Sequence, residues 1–562
     1  MSLTSRFNLR RLFGLFLSSA TLLALVTGVT SANAATTLIH NVKGYTINDG
    51  KLAEFSAIQF TDDKIDNVYA TKPSGIDSSV KLIDGQGNTL LPGLIDAHGH
   101  VLNYGLSLMQ VDLVNSTSEQ EAVARVKAYR EKNPEQRWVQ GRGWNQVQWP
   151  VDQFPTAASL DKLFPNTPVF LGRVDGHAGW ANSKAMALAG ITKDTKAPVG
   201  GEIIKDSQGK PTGIFIDYAM NLITDKIPPL SNAEQKRVLV KAMKALAEVG
   251  LTSVHDAGVT AEHIELYQEL AKDKQMPIRV NAMLYLPSPG WQQKLDDGQF
   301  ASDDHFFQFN SVKIQSDGAL GSRGAALHED YSDQPGTKGI LLHKDKDLAN
   351  YIRTAMAKGY QVNTHAIGDH ANTLTFDHYA KLIEQSGSQK MRHRIEHAQV
   401  LQLDDIPKFA KLNVIASIQA THATSDKNMA QDRIGKERLK GAYAWRSLLN
   451  AGARIANGSD FPVEPTNPFY GLHASITRQD RNNQPLGGWI SEESLTTVES
   501  LKSFTIDAAY AGHQEGMLGS LEAGKQADFI LIKEDLFTQE PSTIWQNKVL
   551  ATWVAGKPVF TK

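Results

Sequence analysis

Cysteine is absent from all 562 residues, which excludes disulfide staples and thiolate metal ligands, so any metal site must be built from nitrogen and oxygen donors. An excess of charge of one sign is absent as well. The formal net charge is -2 with 21% charged residues, which leaves no basic footprint for nucleic acid and no polyanionic tail. The expected ligand is a small, uncharged or mildly charged molecule. Internal repeats and low-complexity segments do not stand out, so the chain is not a solenoid or a linker array. What remains is a chain long enough for two to four units around a large core.

The first 34 residues have the layout of an export signal: Arg6, Arg10 and Arg11, an apolar run from Leu12 to about Val29, and Ala32-Asn33-Ala34 as a cleavage site. A mature chain beginning at Ala35, periplasmic or secreted and without stable membrane association, is the expectation. An uncleaved anchor is the alternative, and Arg10-Arg11-Leu12-Phe13 hints at twin-arginine export. Self-association into a homo-oligomer is left open.

Residues 35–90 alternate apolar and polar positions between turn signals such as Asp49-Gly50 and Asp84-Gly85, the pattern of short strands. From residue 91 the pattern changes to strand followed by helix. Val238, Leu239, Ala242, Met243, Leu246 and Val249 mark one helical face, and Gly250 is placed to end it. Strands are expected at Leu251 to His255, Ile278 to Leu284, Ser311 to Gln315, Tyr360 to His365, Arg392 to His397, Val414 to Gln419 and Arg454 to Gly458. The alternation predicts an α/β fold, a (β/α)8 TIM-like barrel over residues 91–513. One further strand candidate, Val169 to Gly172, falls in a segment of about 130–235 rich in Trp, Pro and Gly. That segment is expected to be an insertion after the first barrel strand, with its tryptophans serving packing more than ligand contact. Short strands return over 514–562 and are expected to complete a composite β-sandwich with 35–90.

The chemistry centres on Leu91-Pro92-Gly93-Leu94-Ile95-Asp96-Ala97-His98-Gly99-His100. On a strand, His98 and His100 project to one face, as a metal-ligand pair must. With 17 histidines in the chain, about 0.5 such His-x-His pairs arise by chance, so context decides. The context is positional. His365 and His397 end two later strands, Lys313 lies on another, and Asp460 follows the last, so all converge on one barrel mouth. Lys313, between Val312 and Ile314, is expected to be buried, where the neutral amine is favoured and can add carbon dioxide to form a carbamate. A lysine that salt-bridges Asp317 or Asp460 is the alternative.

These blocks, with Val312 to Arg323, Asn363 to Asp369, Arg394 to Gln399, Gly458 to Pro462 and Leu521 to Asp528, resemble the amidohydrolase superfamily and within it amidohydrolase family 3. The resemblance extends to N-acyl and N-formyl amide hydrolases. It implies a divalent metal centre of two zinc ions. His98, His100 and Asp460 would hold one ion, His365 and His397 the other, and carbamylated Lys313 would bridge them. It also implies Asp460 as general base and acid. His177, in a glycine-flanked loop, is expected to meet a substrate carbonyl, and Arg323 a substrate carboxylate or an internal acid. His255 is expected near the mouth in a supporting role, and His370, His378, His393, His422 and His473 without special chemistry. The activity implied is hydrolysis of a non-peptide carbon–nitrogen bond. Esters, lactones or cyclic imides are alternatives at the same centre, and a periplasmic ligand-binding protein on an inherited barrel is the non-enzymatic one.

Overall fold

Alternation along eight short strands sets the frame of the molecule. In the first, β1 (Leu94–Gly99), Ile95 and Ala97 pack outward against Ala508 and Ala509, while Asp96 and His98 face the other way. The computed structural model describes residues 35–562 except 147, 148, 152, 174–177, 199, 200 and 322. The export-signal expectation over residues 1–34 therefore lies outside the described residues, as does His177. The remaining barrel strands are β2 (Leu251–Val259), β3 (Arg279–Leu286), β4 (Phe307–Gln315), β5 (Gln361–Ala366), β6 (Arg394–His397), β7 (Ile415–Gln419) and β8 (Arg454–Gly458). Every neighbouring pair from β1 to β8 is parallel.

The ring closes through backbone contacts just past the strand ends. Asp460 N donates to His98 O at 2.7 Å and His100 N donates to Phe461 O at 2.9 Å. Gly458 makes this approach feasible, because a Cβ there would lie 2.6 Å from both Asp96 Oδ1 and His98 N. Outside the barrel, the helix Asn232–Glu248 starts at a Ser231–Glu234 capping box and buries Val238, Leu239, Ala242, Met243 and Leu246. Gly250 follows with φ of +89°, in the left-handed region that ends helices. Burying each of the large side chains on that face contributes about 1.5–3 kcal/mol.

Two further sheets flank the barrel. One joins both chain ends: Phe529–Ile532 pairs antiparallel with Thr89–Pro92, which lies beside Thr36–Asn48. Thr36–Asn48 shifts register between His40 and Gly44, so its first part pairs with Lys81–Asp84 and its second with Thr89–Pro92. The bend lets Ile39, Phe55, Phe60, Leu90, Phe529 and Trp553 share one core. The other sheet holds Val111–Asp112, Val139–Trp144, Val169–Arg173, Ala178–Ala181, Gly201–Lys205 and Pro211–Asp217. Trp144, Trp149 and Trp180 are buried against one another there, and each indole N–H donates to a backbone carbonyl, of Leu171, Ser116 and Thr156 respectively. Their role is packing. No helix among the described residues is long and apolar enough to cross a membrane.

A buried ion pair ties the barrel floor to the terminal sheet. Arg279, at the start of β3, donates from Nε to Asp528 Oδ2 at 2.7 Å and from Nη2 to Oδ1 at 3.0 Å, with both side chains almost fully buried. Arg279→Met strands the Asp528 carboxylate and is expected to cost about 3–5 kcal/mol in urea unfolding. A loss below about 1 kcal/mol would show the pair to be neutral to stability.

Candidate metal centre

The C-terminal ends of the barrel strands deliver the ligating side chains to one hollow of about 460 Å³, lined among others by His98, His100, Lys313, His365, His397, His422 and Asp460. A larger hollow of about 610 Å³ beneath the terminal sheet is lined by no histidine. Chemistry therefore points to the barrel mouth.

His98 is fully buried and its Nδ1 is paired with Glu396 Oε2 on β6. Its Nε2 is thereby directed into the site, 3.5 Å from Asp460 Oδ1 and 3.1 Å from Lys313 Nζ. His100 Nε2 lies 3.0 Å from the same Asp460 oxygen. The ligating atoms of His98, His100 and Asp460 all fall within 4.8 Å of one another, and so do those of His397, His422 and Asp460. Two imidazoles and a carboxylate at these separations fit a divalent cation, since ligands about 2.0–2.2 Å from a tetrahedral ion must sit close together. His422 Nε2 and His397 Nδ1, both buried without a hydrogen-bond partner, support the fit.

The structure places the other expected residues as follows. His365 lines the hollow with its ring 4.4 Å from that of His397, but its Nε2 lies 3.3 Å from Asp317 Oδ1 without hydrogen-bond alignment. It does not join either group of converging donors. Asp317 is itself fixed by the backbone N–H groups of Ile367, Gly368 and Ala326 at 2.8–3.0 Å. Lys313 is buried and has no carboxylate within ion-pair distance among the described residues; its Nζ meets His98. Arg323 bonds an internal acid: Nε and Nη2 donate to Asp333 at 3.1 and 2.8 Å, and Arg433 shares that carboxylate. His255 is buried under the site, with Nδ1 3.0 Å from Arg394 Nη1.

Electrostatics follow from burial and from this crowding of cationic groups. Burial raises the Asp460 pKa, but the His100 hydrogen bond and the nearby imidazoles of His98, His397 and His422 outweigh it and hold the carboxyl well below its usual range. Burial, then the neighbouring Lys313, pushes His98 down to about 4, and burial lowers Lys313 itself. Glu396 is opposed by burial yet stays ionised, because Arg394 and His98 stabilise the anion. Arg394 Nε lies 2.8 Å from Glu396 Oε1, and its Nη2 donates to Ala97 O at 2.6 Å and Ser417 Oγ at 2.8 Å. Burial pushes Asp96 up to about 7; its carboxylate accepts from Ser459 Oγ at 2.7 Å and His98 N at 3.0 Å, locking the turn that carries Asp460.

Glu396, Arg394 and His422 stand at the site although the strand ends do not single them out, and Asp317, the candidate partner of Lys313, faces His365 instead. Arg394 and Glu396 recur with period two on a strand whose other residues are buried, and two charges inside a barrel core were a legible signal. His422 lies three residues beyond β7, where the argument used for the other strand ends applies equally.

Residues 81–560 match the profile of the amidohydrolase family. The chain is 33% identical to the putative amidohydrolase YtcJ of Bacillus subtilis over 85% of this chain and 90% of that one. It is 27% identical to the N-substituted formamide deformylase of Arthrobacter pascens over 85% and 89% of the two chains. Its fold superposes with a TM-score of 0.72 on the crystal structure of an uncharacterized metal-dependent hydrolase from Pyrococcus horikoshii, at 25% identity, covering 90% of this chain and 99% of the other.

Proposed function

The chain belongs to the amidohydrolase family, and from that premise we propose that it is an exported metal-dependent amidohydrolase that cleaves a non-peptide carbon–nitrogen bond of a small amide. The observation that carries this reading is the convergence of His98 Nε2, His100 Nε2 and Asp460 Oδ1 at the barrel mouth, with Glu396 holding the far side of His98. The kinship with a formamide deformylase favours N-formyl and N-acyl amines as the first substrates to test.

A bound divalent ion, zinc in this reading because the donors are imidazole and carboxylate without thiolate, supplies Lewis acidity and an acidified water. His98, His100 and Asp460 would hold one ion, and His365 and His397 would serve a second. Lys313 would add carbon dioxide: its neutral amine forms a nitrogen–carbon bond, releases one proton, and presents two carbamate oxygens between the ions. Burial of Lys313 supports this by favouring the neutral amine. Asp460 is ionised and can accept the proton of the attacking water at a carboxylate oxygen, then give it to the leaving nitrogen as the carbon–nitrogen bond breaks. The products are a carboxylate and an amine. Export rests on the arginines, apolar run and Ala-Asn-Ala of the first 34 residues.

The test is a panel of N-formyl amines, N-acyl amino acids and aryl esters, assayed as purified, after chelation, and after zinc is restored. Amide hydrolysis that disappears with chelation and returns with zinc is expected. Esters cleaved with no amide turned over would move the protein to the esterase alternative, and no metal-dependent turnover of any member would overturn the reading. In the same preparation, carbon-13 bicarbonate should give a carbamate resonance that Lys313→Met abolishes.

A further inference from the structure

We propose that His422 is a metal ligand and that, with His397 and Asp460, it forms a second cation position on the opposite side of the Asp460 carboxylate from His98 and His100. The inference rests on the metal-centre reading above and changes its second ion: His422 and Asp460 join His397 there, in place of His365, whose Nε2 faces Asp317.

Asp460 presents two oxygens to two different sets of imidazoles. Oδ1 lies 3.0 Å from His100 Nε2 and 3.5 Å from His98 Nε2, whereas Oδ2 lies 3.7 Å from His422 Nε2. Two ligands on one tetrahedral zinc ion are separated by about 3.4 Å, so the second separation is within a small side-chain adjustment of coordination. The His422 ring stacks on that of His397 with centroids 5.8 Å apart and planes at 14°. The donor atoms of the three residues lie within 4.8 Å of one another.

Two further observations point the same way. His422 sits in the first turn of the short helix Ala420–Asp426, directly after β7, and its side chain is only 12% exposed. Its Nε2 nonetheless has no hydrogen-bond partner, an arrangement that costs about 1–3 kcal/mol unless something engages the nitrogen. His397 and Asp460 both adopt positive φ, 76° and 58°. Such backbone carries a modest strain, and here it falls at two of the three converging donors. Asp426, one helical turn beyond His422, receives Tyr443 OH at 2.7 Å and Gln399 Nε2 at 3.0 Å on its Oδ2 and makes no hydrogen bond to His422 Nε2.

The experiment titrates metal-free protein with cobalt(II), following bound metal by calorimetry and paramagnetically shifted imidazole N–H resonances by NMR. The wild type should bind two equivalents. His422→Ala and His422→Gln should each keep the first equivalent, weaken the second by more than about 100-fold, and lose one shifted resonance of the second set. Metal-free melting and circular dichroism confirm that both variants are folded. A folded variant that binds two equivalents with unchanged affinity overturns the proposal and assigns His422 to substrate contact. A wild type that binds a single ion overturns it too, while leaving the hydrolase reading intact. A wild type that binds none removes the hydrolase reading itself.

Discussion

Asp460→Asn is expected to lower turnover by about 10²–10⁴-fold while the protein remains folded. The backbone of residue 460 is held independently of its side chain, by Asp460 N on His98 O at 2.7 Å, and asparagine tolerates the positive φ of 58°. The amide keeps an oxygen near His100 but loses the negative charge, and it has no site for the proton of an attacking water. Steady-state kinetics on the best amide of the panel, beside a melting curve, measure the effect. Activity within about tenfold of wild type would remove Asp460 from the role of base.

The second large effect belongs to Glu396, which touches no expected substrate. Its anion accepts the Nδ1 proton of His98 and so leaves the lone pair on Nε2, the atom that faces Asp460. It is also the counter-charge of the buried Arg394. Glu396→Gln therefore acts twice. Zinc affinity, read by chelator competition, should fall by about 10–100-fold. Stability of the metal-free protein in urea should fall by about 3–5 kcal/mol, because a guanidinium is left without its partner in the barrel core. Affinity unchanged alongside lost stability would reduce Glu396 to a structural role and free His98 from dependence on it.

The barrel is legible in the sequence because its strands are buried and its helices carry an unbroken apolar stripe. Val238, Leu239, Ala242, Met243 and Leu246 face the core, and Gly250 takes the left-handed turn that its position after them predicts. His98, His100 and Asp460 are legible by position, since any strand end of such a barrel points at one mouth. Partnership is another matter. Arg323 could equally have met a substrate or an acid, and only the folded loop shows that Asp333, shared with Arg433, claims it. The approach of His365 to Asp317 is invisible for the same reason, because it depends on three backbone amides that orient the carboxylate. His422 is not singled out by the sequence because it lies three residues past β7 in the first turn of a helix, although its place after a strand end is like that of Asp460.

The pairing of Phe529–Ile532 with Thr89–Pro92 has a consequence for biosynthesis. The segment that hands the chain into β1 meets this neighbour only when the ribosome has almost finished. A chain truncated before Phe529 would keep every ligand named above but leave Thr89–Pro92 without its antiparallel partner.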